Sequence, residues 1–148
     1  MATLVGLQQI SDDVSTFTAI AQSTISGGQF VKGASNNDVV EAGSVAAFIS
    51  EDIVVEKAAT STDDALIVGM ALETATSGNS ITVGTEGLFI VAAQDAVAVG
   101  LSISYSNDTD AFCNSVTVVG DGEEEFKIGK ALTGASASGK YLVGLIRI

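Results

Sequence analysis

The 148-residue chain contains no histidine, no proline and no tryptophan, and it has a single cysteine. Without histidine, the sequence lacks the commonest general base of enzymes and the commonest ligand of transition metals. Without proline, tight turns depend on glycine, asparagine and aspartate. Cys113 alone excludes an intrachain disulfide, and its place beside Phe112 predicts a small buried side chain. We therefore expect neither an enzyme nor a disulfide scaffold.

Basic residues are also scarce, because six lysines and arginines stand against eighteen acidic residues, for a formal net charge of −12. Binding of DNA or RNA depends on neutralising phosphates with basic side chains, and the sequence contains no basic cluster. No apolar run approaches the roughly 18 residues that span a bilayer. No basic residue precedes Lys32, so a secretory signal is not expected. The composition predicts neither a nucleic acid nor a membrane as partner.

Hydrophobic residues make up 47% of the chain but aromatic residues only 5%, so the core must be built from alanine, valine, isoleucine and leucine. Sixteen glycines, with serine and threonine between short apolar runs, favour many short strands joined by tight turns. No βαβ alternation is visible. This length suits one domain, or two small halves that share one core.

One stretch occurs twice, at 69–78 and again at 129–139. Both copies read Gly-x-Ala-Leu, pass through a small polar turn that ends in Ser-Gly, and lead into an apolar strand that includes Val-Gly. The upstream halves match more loosely, since Phe30 and Phe89 each precede a Val-x-x-Gly turn. A repeat of this kind predicts two related β units, which we expect to form one compact barrel-like domain.

The pattern of short strands and turns begins at Gly27. Segment 93–99 fits one or two helical turns as well as an extended conformation. Strands are predicted at 29–32, 45–49, 53–58, 65–73, 80–85, 87–92, 101–105, 114–119, 127–133 and 140–148.

Residues 1–26 differ from the rest of the chain, because they contain no basic residue and few turn signals. The triplet 11–13 fits the cap of a short helix, whereas the threonine and β-branched content of 14–20 suits an extended strand. We interpret residues 1–26 as an N-terminal arm, extended unless a partner orders it, and residues 27–148 as the β-rich body.

Two kinds of motif bear on possible chemistry. Segment 134–140 has the spacing of a phosphate-binding loop, but Tyr141 stands where such a loop needs serine or threonine, and a strand is predicted after it instead of a helix. A hairpin turn is the preferred interpretation. The acidic clusters at 107–110 and 121–125 lack the spacing of a calcium loop and are interpreted as solvated loops. We therefore expect no catalytic, cofactor or metal site; the alternative is a weak calcium site formed by Asp108, Asp110 or Glu123, Glu124 and Glu125.

The repeated hairpin at 67–78, with the Gly-x-Phe strand at 85–89, resembles the small capsid decoration (cement) proteins of tailed phages, and 128–148 is similar to that family's C-terminal strand pair. The resemblance implies a β-rich, tulip-like domain on the outer surface of an icosahedral head. It implies a lambda-type homotrimer at three-fold or quasi-three-fold positions, where it binds the major capsid protein and stabilises the shell.

In this family an N-terminal arm commonly reaches the capsid proteins beneath. We expect the arm to add a strand to an exposed edge of a capsid protein, so that a chain beginning at Gly27 folds and trimerises but decorates heads poorly. Aspartates of the arm would meet a basic patch on the shell, and its apolar side chains would fill pockets. The predicted contact residues are Leu4, Val5, Leu7, Ile10, Asp12, Asp13, Val14, Phe17 and Ile20.

Two other classes stay open at this point. A trimeric receptor-binding or fibre-knob domain would also be rich in β-structure, but neither a fibrous repeat nor an aromatic patch is visible. A small carbohydrate-binding or hydrolase β domain would need an acidic or aromatic cleft, which the sequence does not reveal.

Overall fold

The computed structural model describes residues 8–9, 15–34, 53–58, 66–106, 115–120, 127–138 and 140–148. These residues form ten β-strands and no α-helix. The strands are β1 (Gln8–Gln9), β2 (Ser15–Ala21), β3 (Phe30–Gly33), β4 (Val54–Lys57), β5 (Ile67–Ala71), β6 (Ser80–Ala93), β7 (Ser102–Tyr105), β8 (Ser115–Val118), β9 (Lys127–Ala131) and β10 (Tyr141–Arg147).

The strands close into two five-stranded barrels that share the long strand β6. Around the first barrel the order is β6, β2, β4, β3, β5 and back to β6. Around the second barrel it is β6, β8, β7, β9, β10 and back to β6. The N-terminal half of β6 pairs with β2 and β5, and its C-terminal half pairs with β8 and β10. The predicted fold class, mainly β with two repeated β units in one compact barrel-like domain, is confirmed; each unit closes into a barrel of its own.

The sequence predicts two strands, 80–85 and 87–92, where the structure has the single shared strand β6. The predicted break is replaced by two local irregularities within a continuous strand. A register shift between Ser15 and Thr16 leaves Thr85 opposite no residue of β2. Two residues after Thr85, Gly87 has a φ of 147°, a backbone conformation that residues with side chains rarely adopt. The bulge and the glycine thus let β6 leave the first barrel and enter the second without ending.

The two barrels repeat one another hydrogen bond by hydrogen bond. β2 corresponds to the C-terminal half of β6, β3 to β7, β4 to β8, β5 to β9, and the N-terminal half of β6 to β10. Even the register shift between Val31 and Lys32 recurs, between Ile103 and Ser104. Three backbone contacts of the first barrel recur in the second. Gln22 N donates to Val55 O as Gln94 N donates to Val116 O, and Ala21 N donates to Asn79 O as Ala93 N donates to Lys140 O. The bridge between Ile25 and Ala75 recurs between Val97 and Ala135.

This equivalence corrects one detail of the sequence comparison. The sequence pattern matches Phe30 with Phe89, but the pairings place Phe89 at the position of Phe17, and Phe30 at the position of Ser102. Segment 93–99 contains no helical turn; it forms bends around the isolated bridge at Val97. The downstream repeat aligns correctly because both copies carry Gly-x-Ala-Leu, whereas the upstream copies share little side-chain identity.

The Gly-x-Ala-Leu motif has a steric explanation in the first barrel. A Cβ atom placed on Gly69 would lie 2.4 Å from Val83 Cγ1 and 2.7 Å from Gly84 O, so β5 and β6 approach too closely for any side chain. Ala71 is fully buried in the barrel interior. Leu72 and Leu132 follow directly after the ends of β5 and β9. Leu72 N donates to Thr82 O, and in the second copy Leu132 N donates to Val143 O.

Buried apolar side chains form two clusters that match the barrels. One fills the first barrel, with Ala19, Ile25 and Val83 among its members. The other fills the second barrel and continues across to Phe30, Ile67 and other side chains of the first barrel. At this contact the rings of Phe30 and Tyr105 meet edge to face, with centroids 5.4 Å apart. The two barrels therefore share one continuous apolar contact.

Strand β2 shows that the boundary predicted after Ser26 does not follow the fold. Its residues pair with β6 along one edge and with β4 along the other. Ala19, Ala21 and Ile25 have no exposed surface and belong to the core of the first barrel. Residues 15–26 are thus part of the body, because β2 is needed to close the first barrel.

Candidate functional site

Of the nine residues predicted to contact a capsid protein, Phe17 and Ile20 fall within the described part of the chain. Both are half-buried on β2, and Phe17 packs against the core of the first barrel. Both belong to a strand of this chain's own fold, and their contact with a capsid protein stays a prediction. The other seven lie outside the described residues: Leu4, Val5, Leu7, Ile10, Asp12, Asp13 and Val14.

Further towards the N-terminus, β1 places Gln8 opposite Ile90 and Gln9 opposite Phe89. The strand added at this point is thus paired with this chain's own β6, beside the second barrel. Strand addition to another protein, as expected for the arm, is left to residues that precede Gln8 or lie between Gln9 and Ser15.

The segment with the spacing of a phosphate-binding loop is the turn between β9 and β10, as the preferred interpretation predicts. Ala135 bridges Val97, Lys140 N donates to Ala137 O, and Tyr141 begins a strand instead of a helix. A phosphate loop needs a helix N-terminus at this point, and the structure has none there.

The acidic clusters at 107–110 and 121–125 and the single Cys113 lie outside the described residues, as does the strand predicted at 45–49. Within the described ranges, no three histidine, cysteine, aspartate or glutamate side chains gather where a metal ion could bind. None of the described residues forms a helix able to cross a membrane.

The structure does bring together a set of side chains that sequence reasoning missed. A pocket of about 250 Å³ opens between β9 and β10, and the described residues that line it are Lys127, Gly129, Lys130 and Arg147. Three of the chain's six basic residues therefore meet at one place on a protein whose net charge is −12. We call this surface the cationic pocket.

The positions of these side chains follow from the pairing of the strands. β9 and β10 are antiparallel neighbours, with Lys130 opposite Leu145. Arg147 comes from the last residue of β10 and lies opposite Glu86 of β6. Lys127 is the first residue of β9 and lies opposite Ser104 of β7. Residues distant in sequence thus meet because the barrel closes.

The electrostatics of the cationic pocket leave its charges available. Both lysines are exposed, and neither has an ion-pair partner among the described residues. Arg147 Nε lies 3.8 Å from Glu86 Oε1, but 82% of its side chain is exposed, so this contact is weak. Lysine and arginine side chains only donate hydrogen bonds. The arrangement can therefore bind carboxylates or other anions.

The equivalent positions in the first barrel carry different side chains. Lys127 corresponds to Ile67, Lys130 to Met70 and Arg147 to Glu86. Ile67 is 9% exposed and Met70 fully buried, because both pack in the cluster that joins the two barrels. An alignment of the two copies of the repeat places lysines where the first copy has apolar residues. This difference is the sequence signal that could have identified the surface.

Comparison with known proteins adds a fold relationship that covers nearly the whole chain. No protein-family model and no curated protein matches the sequence. Among solved structures, the chain is similar to the head fiber gp8.5 N base of bacteriophage phi29, with a TM-score of 0.57 and 17% sequence identity. The match covers 90% of this chain and 93% of that chain. At this identity, the likeness establishes a shared double-barrel fold.

Proposed function

We propose that this protein is a non-enzymatic structural component on the outer surface of a tailed-phage head. The observation that carries the proposal is the end-to-end fold likeness to the base of a phage head fibre. The repeated Gly-x-Ala-Leu hairpin, which resembles phage decoration proteins, points independently to the same location. Two separate signals, one from structure and one from sequence, thus support a head-associated role.

Within that role, we propose a decoration protein that binds as a homotrimer at three-fold or quasi-three-fold positions. Its partners are the major capsid protein and further copies of itself, and its effect is to stabilise the shell. The compact double barrel suits this work, since it offers broad strand-built surfaces. We expect the contribution to be additive over many weak contacts around the shell.

A second candidate is the base of a head fibre, which the fold likeness to the phi29 fibre base favours. Such a base occupies the same surface of the head but carries a projecting fibre. The two candidates place the protein on the same surface of the head, and they differ in what lies outward of the barrels.

Cryo-electron microscopy of expanded heads incubated with the purified protein tests both candidates. For a decoration protein, we expect compact density at the three-fold or quasi-three-fold positions, and heads that resist heating better than undecorated heads. Binding without any gain in head stability would support the fibre-base role. Absence of density on heads of the virus that encodes the chain would contradict both.

A further inference from the structure

We propose that the cationic pocket of one copy of this chain docks onto the open end of the first barrel of another copy. The proposal rests on the proposed function in one respect, because both require copies of this chain to associate. Its argument comes from the contact between the two barrels within one chain.

That contact joins two unlike surfaces. The first barrel contributes a docking face, made of Phe30, Ala58, Ile67 and Met70. The second barrel contributes a receiving face, whose members in the same apolar cluster are Phe89, Tyr105, Ile128 and Ile146. Both faces are almost completely covered, with every one of these eight side chains at most 9% exposed.

The repeat supplies each barrel with both faces. Among the described residues, the docking face of the second barrel and the receiving face of the first barrel take no part in the contact between the barrels. In the second barrel the docking face corresponds to Ser102, Val119, Lys127 and Lys130, where both lysines are exposed. These lysines belong to the cationic pocket, which therefore overlaps this surface, the open docking face.

In the first barrel, the receiving face corresponds to Phe17, Gly33, Val68 and Thr85. Val68 is 36% exposed, whereas its equivalent Ile128 is 4% exposed beneath the first barrel. Gly33 takes the place of Tyr105, and a Cβ atom there would meet nothing within 4 Å. This surface, which we call the open receiving face, thus has no side chain at the position where the second barrel has an aromatic ring.

Docking the open face of one copy onto the open face of the next repeats the relationship already present between the barrels. Such a contact joins unlike surfaces. Repeated from copy to copy, it forms a closed ring when the successive rotations add up to a full turn. Three copies in such a ring would form a trimer without a second interface.

The chemistry of the open docking face explains why the contact between copies would differ from the contact within one copy. Copies of a chain with net charge −12 repel one another. A docking face that carries Lys127 and Lys130 brings positive charge to an acidic neighbour. We expect association that weakens as salt screens these charges.

The test is sedimentation of the full-length protein across a range of protein and salt concentrations, without phage heads. Wild-type protein should self-associate, and the double variant Lys127→Glu/Lys130→Glu should raise the dissociation constant at least about tenfold, because like charges then face one another. The matched control is Lys57→Glu/Lys140→Glu, which changes the net charge equally at two exposed positions outside the pocket. The control should associate like the wild type, apart from a small general effect.

A second variant, Val68→Arg, places a cation on the open receiving face and should weaken association in the same way. Because the contact joins unlike faces, each of the two variants keeps one intact face. Mixing them should therefore form dimers that neither variant forms alone, and far-UV circular dichroism should show that both variants are folded.

Three results would overturn the proposal: a wild-type chain that stays monomeric at the highest concentration reached in low salt, lysine variants that associate like the wild type, or a mixture that forms no dimers. These outcomes are distinct from failure of the proposed function. A chain that associates through these faces but does not bind heads refutes only the decoration role, and one that binds heads as a monomer refutes only the docking.

Discussion

At Gly69, the first barrel has no room for a side chain, because a Cβ atom would overlap Val83 and the backbone of Gly84. We expect Gly69→Ala to destabilise the fold by about 1–3 kcal/mol, the usual cost of overpacking. Urea denaturation should show this as a lower midpoint. Gly33→Ala is the control, since nothing lies near its Cβ position, and its midpoint should be unchanged or slightly higher. Equal effects of the two substitutions would contradict the steric explanation.

Met70 and Lys130 occupy equivalent positions, but Met70 is fully buried between the barrels and Lys130 is exposed. Met70→Ala removes buried contacts and leaves a cavity, so we expect a loss of about 2–5 kcal/mol. Lys130→Ala should change the free energy of unfolding by no more than about 0.5 kcal/mol, as is usual for surface positions. Denaturant titration of both variants measures the difference. Comparable losses would mean that the two barrels do not share the contact described above.

At the scale of the element, β2 determines how far the chain can be shortened from its N-terminus without loss of the fold. The sequence predicts that a chain beginning at Gly27 folds, but such a chain lacks the strand that joins β4 to β6 and the buried side chains of Ala19, Ala21 and Ile25. From the structure we expect it not to fold, as judged by circular dichroism and by thermal unfolding.

A chain beginning at Ser15 keeps every strand of both barrels and loses only β1 and the residues around it. We expect it to fold with near wild-type stability, and it therefore becomes the proper test of the arm. If the residues before Ser15 anchor the protein, this shorter chain should bind heads more weakly in a co-sedimentation assay. Unchanged binding would place the anchor on the barrels.

At the scale of the whole molecule, the shared strand and the apolar cluster that crosses between the barrels should make the protein unfold as one unit. Calorimetry should give one thermal transition whose calorimetric and van't Hoff enthalpies agree. Tyr105 and Tyr141 both belong to the second barrel, so tyrosine fluorescence and far-UV circular dichroism should report the same midpoint. Two separated transitions would show that each barrel is stable without the other.

Phe30→Ala also tests whether the two barrels unfold together, since the Phe30 ring of the first barrel packs edge to face against Tyr105 of the second. We expect a loss of about 3–5 kcal/mol, and a transition measured at tyrosine that shifts together with the transition of the whole chain. A shift confined to one of the two signals would indicate that the barrels unfold separately.

Much of this architecture is predictable from the sequence, for reasons that are local. Alternating apolar residues and turn-forming residues identify short strands without reference to the rest of the chain. The predicted strands lie close to the observed β3, β4, β5 and β7–β10, apart from 45–49, which lies outside the described residues. The second Gly-x-Ala-Leu copy reveals the duplication, because the same steric and hydrogen-bonding demands recur at the same place in each barrel.

Other features depend on pairing between distant residues and could only come from the tertiary structure. The composition of 14–20 favours an extended strand, but the place of β2 inside the first barrel depends on its pairing with β4 and β6. The cationic pocket forms because barrel closure brings Arg147 to Lys127 and Lys130, although the sequence holds no run of basic residues. The repeat by itself determined that the chain contains two related β units. That each unit closes into a barrel of its own was decided by the pairing of both with β6. Which face of each barrel is covered was decided by how the barrels pack, since burial depends on what lies opposite a side chain and not on the side chain alone.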